Sequence, residues 1–120
     1  MSGYKDLMAY KKAKELADAI FEVSKKFPPE EKYSLTDQIR RSSRSVCACI
    51  AESYRKRKYP AHFVSKLTDA DTENAETEVW LDFARDCKYI YDTEYAPLVN
   101  LNREAGKLLG YMIDNPDKFL

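Results

Sequence analysis

Glycine is scarce: the 120 residues hold three, beside five prolines. Few positions can therefore make the tight turns of a many-stranded fold, which favours long helices. Histidine is scarcer still, with His62 alone. A di-iron bundle needs a Glu-x-x-His from each of two helices, and a structural zinc site needs four Cys or His ligands close together, so neither can be assembled. A serine–histidine arrangement would have one possible base, and no Gly-rich phosphate loop occurs. No catalytic residue, metal or cofactor is expected, and His62 reads as a surface or packing residue. The cysteines, Cys47, Cys49 and Cys87, are an odd set with no disulfide framework. They read as small, reduced, semi-buried residues of a cytoplasmic protein.

Net charge is also lacking, because 20 Lys and Arg balance 20 Asp and Glu. Bulk charge thus points to neither nucleic acid nor membrane. No apolar run is long enough to span a bilayer. The opening MSGYKDLMAYKKAKELADAIF has no uninterrupted apolar core before a small-residue cleavage site, and reads as mature structure.

What is present is helical periodicity. Leu7, Tyr10, Ala13, Leu16, Ala17, Ile20, Ser24 and Phe27 recur at three- and four-residue spacing, predicting a helix over 5–27 that Pro28 and Pro29 end. Ser34 reads as the N-cap of a second helix running to 58, with Asp37 completing an approximate capping box and Tyr33 packing back. Leu35, Ile39, Val46 and Ile50 form its inner face, with Ser42, Cys49 and Ser53 between them. A third helix over 61–90 follows Pro60, with Phe63, Leu67, Ala70, Leu81 and Ala84 inward. Asn74 and Thr77 share that stripe and would face the serines of helix two. A fourth helix, capped by Asp92 or Thr93 and ended by Asn115 and Pro116, carries Leu98, Leu101, Ala105, Leu108, Leu109 and Met112, with Gly110 an imperfection inside it. Four helices joined by short loops predict an all-α, antiparallel up-down-up-down four-helix bundle, with 1–120 a single domain.

A second stripe on helix three, Trp80, Phe83 and Cys87 among Asp69, Glu73 and Glu76, lies away from the first. One seam cannot bury both, so a subunit interface is expected at Glu73, Glu76, Trp80 and Phe83.

Charge distribution says more than its sum. Residues 40–58 hold seven basic residues and one acidic; residues 69–86 hold seven acidic and one basic. Arg40, Arg44, Arg55 and Lys58 fall on one outward strip, with Arg41 to one side, and Lys56 lies four residues after Glu52, a favourable exposed pair. Two readings are open. The basic face of helix two could pair with the acidic face of helix three, within a subunit or across an interface. Alternatively, the strip and the cluster Arg55, Lys56, Arg57 and Lys58 could contact phosphates of RNA or DNA, with Tyr54 and Tyr59 placed to stack on bases.

The stretch DQIRRSSRSV at 37–46, followed by Ile50, Ala51 and Glu52, resembles the signature of the bacterial four-helix bundle proteins that include those encoded in intervening sequences of large-subunit ribosomal RNA genes. Asp6, Leu7 and Tyr10 through Ala13 resemble the start of that family. Phe63 through Leu67, Glu73, Glu76, Thr77, Leu81, Ala84, Asp86, Tyr89 and Ile90 resemble its third helix. The similarity spans nearly the whole chain, although Cys49 and Ser53 stand where the family usually has Asn and Gly. It implies a bundle assembled as a ring-shaped homo-oligomer, commonly a homopentamer. It also implies likeness to the accessory variability proteins of diversity-generating retroelements, basic pentamers that bind nucleic acid and a reverse transcriptase. The positions carried over are Arg40, Arg41, Glu52 and Glu76. The resulting expectation is a non-enzymatic nucleic-acid or ribonucleoprotein accessory factor, or else a scaffold ring with a protein partner.

Overall fold

Apolar spacing in the sequence is realised as four long helices, and the computed structural model describes residues 3–120. They are α1 (Met8–Ser24), α2 (Asp37–Arg55), α3 (Pro60–Asp86) and α4 (Asp92–Asp114), with short 3₁₀ turns at Tyr4–Asp6, Pro29–Glu31 and Pro116–Lys118. No strand occurs among the described residues. Helix α1 packs against α2 and α4, and α3 packs against the same two. The particle measures 44 × 25 × 22 Å.

The inner faces follow the sequence periodicity. All seven stripe residues of α3 are buried, from Phe63 to Ala84. So are Leu35, Ile39, Ser42, Val46, Cys49, Ile50 and Ser53 of α2 and its approach. Of the stripe predicted for the first helix, only Tyr10 is half-buried and the rest are buried. Leu101 and Leu108 of α4 are also half-buried, and Val99 and Asn102 take core positions there.

The helix ends depart from the sequence expectations, each for a local reason. Extended Leu7 separates α1 from the preceding turn, so the helix starts at Met8 rather than Lys5. It ends at Ser24, and Phe27 reaches the core from the turn that follows. Ser34 is not an N-cap. A wide π-type turn at Lys32–Thr36 carries the chain into α2, and Glu31 opens it by accepting from Leu35 N (3.4 Å) and Ser34 Oγ (2.6 Å). Tyr33 consequently points to solvent, 81% exposed. Helix α2 stops at Arg55, not Lys58. Helix α3 stops at Asp86, not Ile90, because Lys88 turns left-handed at φ 63°. Lys88 N then donates to Arg85 O and Tyr89 N to Ala84 O, both at 2.9 Å, a Schellman-type closure without glycine. Tyr91, rather than Asp92 or Thr93, caps α4, its N–H donating to Glu94 Oε1 at 2.9 Å.

The core falls into two apolar clusters, one around Phe63, Leu67 and Leu109, the other around Ile20, Ile39 and Leu81. Buried polar side chains lie between them in sequence on α2, α3 and α4. Ser42 Oγ and Thr77 Oγ1 are 2.8 Å apart. Asn74 does not face the α2 serines as expected. It meets Asn102 of α4: Asn74 Nδ2 donates to Asn102 O at 2.8 Å, and Asn102 Nδ2 donates to Asn74 O at 2.8 Å and to Asn74 Oδ1 at 3.2 Å. Glycine leaves room beside this lock, since a Cβ on Gly106 would lie 3.3 Å from Asn74 Nδ2, a tight contact. Every buried side-chain polar atom among the described residues has a partner.

Gly110 has no such reason, because a Cβ there meets nothing within 4 Å. Gly110→Ala is expected to raise stability by about 0.5–1 kcal/mol, through helix propensity and a less flexible unfolded chain. Urea unfolding midpoints check it, and a lower midpoint would refute the expectation.

Candidate nucleic-acid interface

Arginines 40 and 44 lie one helical turn apart on α2, and both reach the ring of Phe21 on α1. Their guanidinium carbons are 4.8 and 5.3 Å from its centroid, and Lys25 Nζ is 4.8 Å from the same ring. Arg40 is half-buried and held in place, its Nε donating to Ser24 Oγ at 2.7 Å. Arg44 is exposed and makes no ion pair among the described residues. Lys25 is partly offset by Glu22 at 3.2 Å. Phe21 and Lys25 lie outside the residues that the sequence points to. Their signal is a Phe off the apolar stripe of α1, followed four residues later by a cation.

The second basic group forms where α2 ends. Arg57 Nε donates to the Tyr54 carbonyl at 3.0 Å, and its guanidinium lies 3.6 Å from the Tyr54 centroid. The side chains of Arg55, Lys56 and Lys58 are exposed, without hydrogen bond or ion pair among the described residues. Fifteen residues of α2 separate Arg40 from Arg55, about 22 Å at the helical rise. Tyr59 is 63% exposed, with His62 at 6.0 Å edge-on.

Arg41 is turned to other work. Its Nη1 donates to Glu73 Oε2 at 3.1 Å and its Nη2 to Glu76. Desolvation pulls its pKa down, but the fields and hydrogen bonds of Glu73 and Glu76 outweigh that and leave it above its ordinary value. Trp80 Nε1 donates to the same Glu76 oxygen at 3.0 Å. Arg41, Glu73, Glu76 and Trp80 thus form one network inside the chain. Phe83 tilts against Trp80 at 6.0 Å and is 53% exposed, close to exposed Val79. The expected Glu52–Lys56 pair does not form. Glu52 meets Lys66 of α3 at 3.1 Å, which lifts the Lys66 pKa.

Between the two basic groups, Cys47 lines a cleft with Tyr10, Lys14, Asp18, Glu22 and Arg44. Burial pushes its thiol up to about 11, so the neutral thiol persists at pH 7. Cys49 is buried and Cys87 exposed, so the three are not uniformly semi-buried. Among the described residues no group of three or more His, Cys, Asp or Glu could hold a metal ion. Among the described residues no helix is long and apolar enough to cross a membrane. What the outer face of α2 offers is donors and positive charge at two places, suited to anionic oxygens.

Comparison with known proteins gives a consistent context. The family described as 23S rRNA-intervening sequence protein matches residues 5–111. A crystal structure of a protein with unknown function from the S23 ribosomal protein family of Bacteroides thetaiotaomicron VPI-5482 is similar at 32% identity and a TM-score of 0.80, over 92% of this chain and 98% of that one. No protein of curated function is significantly similar.

Proposed function

The chain belongs to the 23S rRNA-intervening sequence protein family, and from that premise we propose that it is a non-enzymatic, cytoplasmic nucleic-acid or ribonucleoprotein accessory factor. Its bundle is antiparallel, up-down-up-down, and assembles as a ring-shaped homo-oligomer, in keeping with the resemblance to pentameric relatives. Supporting the up-down order, interhelical partners run in opposite directions. Arg41 meets Glu73 while Glu52 meets Lys66, and Asn74 meets Asn102 while Asp82 meets Tyr95.

The observation that carries the function is the set of unpaired cations on the outer face of α2 and at its C-terminal end. Arg44, Arg55, Lys56 and Lys58 make no ion pair among the described residues, whereas their neighbour Arg41 is paired with Glu73 and Glu76. Arg40 and Arg57 add positive charge fixed by neighbours. Arg41 contributes structure instead, since its charge is spent on α3. Ring symmetry would repeat the strip and turn weak contacts into multivalent binding.

Binding of single-stranded RNA or duplex DNA should weaken steeply with salt. Reversing Arg40, Arg44, Arg55 and Lys58 to Glu should abolish it. A milder set, the same four changed to Gln, should flatten the salt dependence for single strands by roughly 3 log units per log unit of salt. Fluorescence anisotropy, read with helical content and solution mass, measures this. Unchanged binding by a folded charge-reversed variant would overturn the proposal.

A second function, a scaffold ring with a protein partner, is favoured by the patch of Val79, Trp80 and Phe83. Glu73 and Glu76 flank it, both held by Arg41, leaving an apolar centre for subunit contact. In that case the charge reversal should change the mass of the assembly, with no nucleic-acid binding to lose.

A further inference from the structure

At the end of the bundle where α2 gives way to α3, Arg55, Arg57 and Lys58 line a cleft of about 500 Å³ with Gly3, Tyr4 and Tyr54. Its size suits one small ligand. No carboxylate is among these lining residues. The hydroxyls of Tyr4 and Tyr54 make no hydrogen bond among the described residues. Every side-chain polar group at the cleft can therefore donate, and three of them carry full positive charge.

Arg57 is prearranged for binding. The Tyr54 ring supports one face of its guanidinium, and Nε is bound to the Tyr54 carbonyl, leaving the terminal nitrogens without a partner among the described residues. Less side-chain freedom is then lost when a ligand arrives. Three like charges without counter-charge repel one another, and an anion between them relieves that repulsion. An internal phosphodiester brings one negative charge. A terminal phosphate monoester brings about −1.5 to −2 at pH 7 and three strong acceptor oxygens. The arrangement of donors and charges matches the second better than the first.

We infer that this cleft binds the terminal phosphate of a nucleic-acid strand, an assignment that rests on the nucleic-acid function proposed above and gives it a polarity. The Phe21 group, about 22 Å away along α2, holds internal phosphates of the same strand, while the cleft takes its end.

The test uses the full chain and short RNAs of one sequence carrying a 5′-phosphate, a 3′-phosphate or hydroxyls at both ends, at one moderate salt concentration. One phosphorylated RNA is expected to bind about tenfold more tightly than the hydroxyl form, a gain of about one charge-assisted contact pair. The variant R55Q/R57Q/K58Q should weaken binding of all three RNAs and erase the preference, so that phosphorylated and hydroxyl forms bind equally. Equal affinity for all three RNAs overturns the strand-end assignment but leaves the accessory function standing. No binding of any RNA overturns both. Competition by a nucleoside monophosphate at concentrations near the affinity of the phosphorylated RNA would make the ligand a free nucleotide and overturn the strand-end assignment. Competition by inorganic phosphate only at far higher concentrations is the expected result.

Discussion

Phe63→Ala is expected to remove about 4 kcal/mol of stability, the largest loss from any single truncation proposed for this chain. Phe63 is fully buried and heads the fully buried side chains by volume. It belongs to the core cluster that joins Leu7 and Ala9 near the start of α1, Val46 and Ile50 of α2, and Leu109 and Met112 of α4. Alanine would forfeit the transfer of the ring out of water and leave a cavity that residues from all these elements border. Small domains are stable by about 5–15 kcal/mol, so the variant should be near its unfolding threshold. Urea unfolding with an unchanged slope and a much lower midpoint is the expected result. Phe83→Ala is the control, because Phe83 is 53% exposed; its effect on monomer stability should stay within about 0.5 kcal/mol. A small loss at Phe63 would mean that the site collapses around the missing ring.

Asn102→Ala should cost about 3 kcal/mol, near the upper end for leaving buried polar groups without partners. The Asn102 amide is the donor to both oxygens of Asn74, and its removal leaves Asn74 Oδ1 buried beside no donor. Asn74→Ala removes the return bond to Asn102 O. The pair therefore forms a coupled unit, and the double alanine variant should lose less than the two single losses combined. Partners in one hydrogen-bond network couple by about 0.5–3 kcal/mol. A double-mutant cycle measured by urea unfolding gives the coupling directly. Strict additivity would show that the amides act independently of each other.

These sites also mark how far the sequence could be read. The stripe of α3 was legible to its last residue, because seven positions at helical spacing point inward whichever helix lies opposite. Even its polar members, Asn74 and Thr77, were placed by that spacing. Asn102 was not, because among Leu98, Leu101 and Ala105 a polar side chain counts as outward until its partner on another helix is known. The helix ends depart from the sequence expectation where the capping group is unusual. Lys88 takes a left-handed conformation more often occupied by Gly, and Glu31 acts four residues before the amide it satisfies.

The basic surface was legible as charge but not as arrangement. Block counts along α2 and α3 predicted complementary faces, yet within α2 Arg41 alone is the cation that crosses to the acids of α3. The neighbouring Arg40 turns instead to Ser24 and Phe21 on α1. One residue of helical rotation, about 100°, separates these destinations. A charge count cannot make that distinction, whereas the angular position of each residue does.

The polar belt also divides the freedom of the chain to change over generations. Aliphatic residues on either side of it can exchange for others of similar volume at modest cost. The belt cannot drift in that way, because moving α4 by one turn along α3 would strand two amides in hydrocarbon. It acts as a phase mark, preserving the alignment of the helices while the surfaces they carry diversify. The outer face of α2 can thus be rewritten for a new ligand without the bundle losing its place.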